Sequence, residues 1–175
     1  MTTGPTFLTF LTVEPLDAQT FSAFGEVIEV SPHATHYTIN DGFAERYHDL
    51  ARLDVMADGG RPIVSIFRAR ARLFPLHLQR MERHPLGSQA FICLQAQPYL
   101  VVVAPAAGTL DARQIRCFRA EGRQGVNYRR GTWHHPLIAL HEGSDFLVLD
   151  RGAAAVDRNL DEVAIGDAGL WVRPQ

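Results

Sequence analysis

Glu82 and His84 stand two residues apart, Gln89 follows a Pro-Leu-Gly break, and His134 lies just beyond a later glycine turn. On a strand, residues i and i+2 share a face, so Glu82 and His84 point the same way. If two or three strands bring these four side chains to one point, they form a mixed nitrogen and oxygen set. Such a set suits Ni²⁺, Mn²⁺, Fe²⁺ or Zn²⁺, with positions left open for a substrate.

More chemistry-bearing residues gather in three further polar clusters, at 40–49, 125–136 and 150–152. His135 adjoins His134; on a strand it faces the other way, on a turn it joins the site. Tyr128 and Asn127 precede that turn and could donate to a substrate, although Tyr128 also reads as a core residue. His48 sits beside Asp49, and Arg46 beside Glu45. Candidate acid–base groups are therefore His135, Tyr128 and His48. Arg68, Arg46, Arg151 and Asn127 are the candidates for holding a substrate, arginine being the better fork for a carboxylate. Arg68, with Arg70 and Arg72 nearby, reads equally as a solvated face, and Arg151 as a bridge at a strand end.

What must position these groups is mostly β. Pro15 to Gly25 reads as one short helix, capped by Asp17, striped by Phe21 and Phe24 and stopped by Gly25. Residues 26–30, 63–68 and 76–82 alternate. Continuous apolar runs follow at 90–94, 99–104, 115–118, 136–140 and 146–149. Strands of about five to eight residues at roughly ten-residue spacing predict an antiparallel sandwich or barrel. From Ala153 the chain becomes an arm ending in Leu170-Trp171-Val172, expected to pack on the barrel or on a second subunit.

At 175 residues, the chain predicts one domain, with its core at about 16–152 and the arm at 153–175. All 17 cations are arginine, so a lysine Schiff base or lysine general base is excluded. The net charge of −2 gives no basic excess for nucleic acid or anionic lipid. Cys93 and Cys117, each in an apolar run, read as buried thiols. Phe7, Leu8, Phe10 and Leu11 lack a preceding cation, and no run reaches membrane-spanning length. A cytoplasmic protein is expected.

The stretch Glu82-x-His84-x4-Gln89-x6-Ala96 resembles the first cupin motif, with Glu82, Gln89 and Ala96 where that motif has His, Glu and Gly. Arg130-Gly131-Thr132-Trp133-His134 resembles the tail of the second. This spacing outweighs the simpler reading of Glu82 as a surface partner of Arg80 or Arg83. Four ordered segments are similar to the bacterial ureidoglycolate lyase family: Glu45-Arg46-Tyr47-His48-Asp49-Leu50-Ala51, Glu82-Arg83-His84-Pro85-Leu86-Gly87-x-Gln89-Ala90-Phe91, Gly125-Val126-Asn127-Tyr128 with Trp133-His134-His135-Pro136-Leu137, and Asp150-Arg151-Gly152.

The resemblance implies a cupin-like double-stranded β-helix barrel with a short N-terminal helix. It also implies a cytoplasmic homodimer that cleaves (S)-ureidoglycolate to glyoxylate and urea in allantoin degradation and nitrogen assimilation. Glu82, His84, Gln89 and His134 would hold a divalent metal, Ni²⁺ first, with Mn²⁺ or Zn²⁺ as alternatives, and no organic cofactor is implied. Two other readings stay open: a metal-dependent cupin isomerase or dioxygenase, and a non-catalytic cupin that binds a small acid.

Overall fold

A computed structural model describes residues 8–153 and 158–174; Phe7 of the N-terminal apolar run and residues 154–157 of the arm lie outside them. In chain order the strands are β1 (Thr9–Phe10), β2 (Val13–Pro15), β3 (Gly25–Ile28), β4 (His36–Ile39), β5 (Ala44–Tyr47), β6 (Arg61–Ala69), β7 (Leu76–His77), β8 (Arg80–Arg83) and β9 (Gln89–Cys93). They continue with β10 (Tyr99–Ala104), β11 (Arg116–Ala120), β12 (Gly125–Tyr128), β13 (Trp133–His134), β14 (Ile138–Ala139), β15 (Ser144–Gly152), β16 (Asp161–Ala164) and β17 (Leu170–Val172). The one α-helix among the described residues is α1 (Ala18–Phe21).

The chain is mainly β. A five-stranded sheet runs β3-β12-β9-β15-β6, and a seven-stranded sheet runs β16-β8-β13-β10-β11-β2, with β14 also pairing β10. A small sheet, β1-β17-β7, and the hairpin β4-β5 complete the fold. The expected barrel is not closed by hydrogen bonds: β3 and β6 end the five-stranded sheet without bonding the other. The result is an open β-sandwich with a cupin-like interior.

β10 shows how the sequence drives this layering. Tyr99, Val101 and Val103 pack into the core between the two large sheets. Leu100, Val102 and Ala104 pack into a second core beneath the small sheet. A strand buried on both faces reads as an unbroken apolar run, which is what this segment is. Each fully buried valine or leucine there contributes about 1.5–3 kcal/mol.

Asp17 caps α1, its carboxylate accepting from the Gln19 and Thr20 amides at 2.8 and 3.0 Å. The helix is a single turn, and Gly25 opens β3 instead of stopping it. The reason for glycine lies across the sheet: a Cβ at Gly25 would sit 1.8 Å from the Asn127 carbonyl oxygen. The helix matters to the site because Phe21 packs against Tyr128, with ring centroids 6.5 Å apart.

One further expectation changes, and one is narrowed to the first of its two alternatives. The alternating run 76–82 is two strands, because the chain leaves the small sheet at Leu78, whose amide donates to Leu170, and joins the seven-stranded sheet at Arg80. The arm pairs within its own chain: β16 lies against β8, and β17 between β1 and β7. Leu170 and Val172 are buried there, and Trp171 stacks on His77 at 4.5 Å. Cys93 and Cys117 are buried free thiols, the latter pushed up to about 12 by burial.

Candidate active site

Cross-strand register assembles the polar centre. His134 on β13 lies directly opposite Glu82 on β8, and directly opposed residues face the same side at close range. His84 follows one residue after β8, on the Glu82 face. From the other sheet, Gln89 and Tyr128 are register partners between β9 and β12. Ligand atoms of Glu82, His84 and His134 lie within 4.8 Å of one another, a group that could hold a metal ion.

The hydrogen bonds fix which atoms face inward. His134 Nδ1 lies 3.0 Å from the Thr132 carbonyl, and His84 Nδ1 lies 2.6 Å from the Asn159 carbonyl. A carbonyl only accepts, so both rings donate from Nδ1 and turn Nε2 to the centre. His134 Nε2 is buried with no hydrogen-bond partner, 3.5 Å from a Glu82 carboxylate oxygen. His84 Nε2 is 3.1 Å from Gln89 Oε1. Glu82, His84, Gln89 and His134 thus converge, four residues that can each offer a lone pair to the centre.

Such convergence is costly without a cation and natural around one, and histidine ligands held through Nδ1 by carbonyls are the usual outer support of metal sites. The donor set fits a divalent ion. Electrostatics agree. Burial raises the Glu82 carboxyl, but His134, His84 and Arg80 outweigh it and hold its pKa below the ordinary value. Burial, helped by His134, lowers His84 below its ordinary value.

Above this floor opens a cavity of about 530 Å³, lined by Glu82, Gln89, Tyr128, His134 and His135 below and by Arg68, Arg70 and Arg72 at the rim. Tyr128 stacks on His134 with centroids 4.5 Å apart, and burial raises its pKa, so it stays a phenol. His135 is on this side of the chain, donating Nδ1–H to the Pro136 carbonyl at 2.7 Å. Burial chiefly, with Arg72 and Arg80, lowers it to about 4.

The remaining candidates lie elsewhere. Arg68 reaches the rim but is held by both oxygens of Asp145, at 2.8 and 2.9 Å. Asn127 faces away from the cavity, donating to Glu26 and to the Arg52 carbonyl. Arg151 is buried against the Ala57 and Asp58 carbonyls, so close to Gly60 that a Cβ there would lie 2.3 Å from its Nε. Arg46 and His48 are on or just after the β4-β5 hairpin, packed on Tyr37 and outside the cavity. Sequence reading missed two residues. Asn159 holds His84 through its carbonyl and the Leu86 amide through its side chain. Asp150 touches Gln89 from behind.

A Glu/His/Gln cluster beside an arginine-rimmed cavity in an open β-sandwich is the polar centre of a cupin-like fold. The chain belongs to the ureidoglycolate lyase family, whose profile, described as "Ureidoglycolate lyase", matches residues 8–173. Relatives bearing that name include one from Burkholderia mallei (strain NCTC 10229), 52% identical over 93% of this chain and 92% of its own. One from Burkholderia cepacia is 53% identical over 89% and 86%, and one from Azotobacter vinelandii (strain DJ / ATCC BAA-1303) 48% identical over 90% and 93%.

Proposed function

We propose that this chain cleaves (S)-ureidoglycolate to glyoxylate and urea, a late step of allantoin degradation that releases nitrogen. The observation that carries it, beside family membership, is the convergence of Glu82, His84 and His134, with Gln89 against His84, next to an arginine-rimmed cavity. The substrate carbon bears a carboxylate, a hydroxyl and a ureido nitrogen. Cleavage breaks the carbon–nitrogen bond, turns the hydroxyl into a carbonyl and moves one proton from oxygen to nitrogen. No water is consumed, so the reaction is an elimination.

Glu82, His84, His134 and Gln89 would hold a divalent metal, Ni²⁺ first and Mn²⁺ or Zn²⁺ next, the set containing no thiolate. Bound there, the ion supplies Lewis acidity that makes the substrate hydroxyl easier to deprotonate. His135, neutral at physiological pH, takes the hydroxyl proton and returns it to the departing nitrogen. A positioned base with a pKa near the working pH is worth about 10²–10⁴-fold, and the burial that lowers His135 to about 4 makes it a weaker base than that. Tyr128, held as a phenol, donates a hydrogen bond to the ureido group. Arg68, Arg70 and Arg72 draw the carboxylate to the rim.

The same reading makes the enzyme a cytoplasmic homodimer. Two surfaces suit a second copy. The hairpin bearing Arg46 leaves Phe43 91% exposed. On the outer face of the five-stranded sheet, Val64 and Ile66, 65% and 54% exposed, pair with Leu149 and Leu147. No helix among the described residues is long and apolar enough to cross a membrane. Light scattering after size exclusion checks the dimer.

The deciding experiment is turnover of racemic ureidoglycolate by metal-stripped protein, with and without Ni²⁺ or Mn²⁺. Equal glyoxylate and urea only with metal is the expected result. Equal products without metal would keep the function and remove the ion; ammonia in place of urea would overturn the elimination.

A further inference from the structure

Gln89 is the one member of the acceptor set whose inward atom is a matter of choice, since its amide carries an acceptor at one end and a donor at the other. As it stands, Oε1 faces His84 Nε2 at 3.1 Å and Nε2 faces Asp150 Oδ2 at 3.4 Å. From the side of the floor alone, the opposite orientation is better: an N–H would point at the bare His84 nitrogen and satisfy it. Turning the amide over would instead set its oxygen against the Asp150 carboxylate, acceptor against acceptor. The two neighbours make opposite demands.

Asp150 has no other visible occupation. Its Oδ1 is buried without a hydrogen-bond partner among the described residues, and its Oδ2 makes that single side-chain contact. It sits behind Gln89, in a second hollow of about 250 Å³ shared with His84, Arg151 and Asn159. A carboxylate left half-buried with one free oxygen is costly unless its charge is used.

We propose that Asp150 is a positioning residue that sets the Gln89 amide with oxygen inward, and thereby makes Gln89 a metal ligand. The inference rests on the cation-site reading of Glu82, His84, Gln89 and His134. In this chain a glutamine stands where the cupin motif has a glutamate, a side chain with no donor end to exclude. Asp150 supplies that exclusion from outside.

Replacing Asp150 by asparagine keeps the shape and removes the demand: an amide behind Gln89 can present either end, so Oε1 inward and N–H inward become competing orientations. The test is Ni²⁺ binding by calorimetry to the full-length protein, in a four-variant cycle of wild type, Asp150→Asn, Gln89→Glu and the double variant. Thermal melts of the metal-free forms check folding. Asp150→Asn should weaken Ni²⁺ about 10–100-fold, the usual range for an outer partner of a ligand. With Glu at 89 the same substitution should cost less than about threefold, giving a clear coupling energy. An equal loss in both backgrounds would mean that Asp150 acts by charge alone, and would overturn the inference. Unchanged binding in Asp150→Asn, with wild type binding normally, would overturn it as well. Wild type that binds no divalent ion would overturn the cation-site reading and this inference with it. Side-chain amide signals of Gln89 in ¹⁵N spectra of the metal-free protein give a second readout, expected to shift only in Asp150→Asn.

Discussion

The floor of the cavity and its rim are built on opposite terms. On the floor, His134 is 1% exposed, and both inward-facing histidines are fixed by backbone carbonyls behind them. At the rim, the Arg68 side chain is 76% exposed, and Arg70 and Arg72 are exposed too. Buried lone pairs held by backbone do not reorganise, which is what charge development in a reaction requires. Exposed guanidinium groups are screened by water and salt and readjust to whatever arrives. The proposed function places chemistry on the floor and capture at the rim, in line with this contrast.

The largest effect should come from the floor. His134→Ala or Glu82→Gln should abolish Ni²⁺ binding and lower kcat on the order of 10³-fold or more, beyond the 10–100-fold that outer partners carry. His134→Ala also removes the ring on which Tyr128 stacks. KM should move only a few-fold. Steady-state kinetics with metal analysis checks this; a variant with intact kcat would move the chemistry off the floor and break the contrast.

His135 lies between the two regions, lining the main cavity and the adjoining one with Arg72 and Arg80. Its pKa falls from 6.5 to about 4, by burial first and by those arginines second. The unfolded chain therefore binds a proton that the folded chain refuses. Stability is complete above about pH 6.5, falls as pH drops through that window and is fully lost below about 4. The loss is about 3 kcal/mol at the end of the window. Urea melts of metal-free protein at stepped pH should show it. His135→Gln should flatten the slope, while Arg72→Met should leave most of it. A slope that vanishes in Arg72→Met would make the rim, not burial, the cause.

The rim itself should show in KM. Arg68→Met should raise KM about tenfold at low salt with kcat within about twofold, since it removes ground-state attraction. Added salt should raise the wild-type KM in the same direction. A fall in kcat with unchanged KM would place Arg68 among the floor groups and erase the distinction.

How far the sequence anticipates all this follows from the range of each interaction. The Glu82–His84 pair, the Asp17 cap and the two-faced run Tyr99–Ala104 are local and legible. The match of His134 to Glu82 needs a register set by β10, which pairs His134 with Val103, and no local pattern states it. The β4-β5 hairpin escaped notice because its strands of four residues are polar and mostly exposed. Asp150 reads only as a member of the polar cluster at 150–152 and Asn159 as part of an arm, because their partners lie 61 and 75 positions away. The break at Leu78 is likewise imposed by Leu170, far along the chain.

Ala96 offers the smallest effect and a control on the others. It occupies the turn between β9 and β10, exposed, with φ of +55°. That is the position at which the cupin motif carries glycine, and the reason is now plain: the turn demands a left-handed residue. An L side chain there costs about 1–2 kcal/mol, whereas glycine adopts the conformation freely. Glycine also gives the unfolded chain more freedom, which returns about 0.4–1 kcal/mol of that gain. Ala96→Gly should therefore raise stability by about 0.5–1 kcal/mol, or about 1–4 °C in Tm. Ala96 lines neither the main cavity nor the adjoining one, so kcat, KM and Ni²⁺ affinity should stay as they are. Were Ala96→Gly to change kcat, the floor would be coupled to the global stability of the sandwich, and the losses expected from His134 and Glu82 substitutions would have to be corrected for unfolding before being assigned to chemistry.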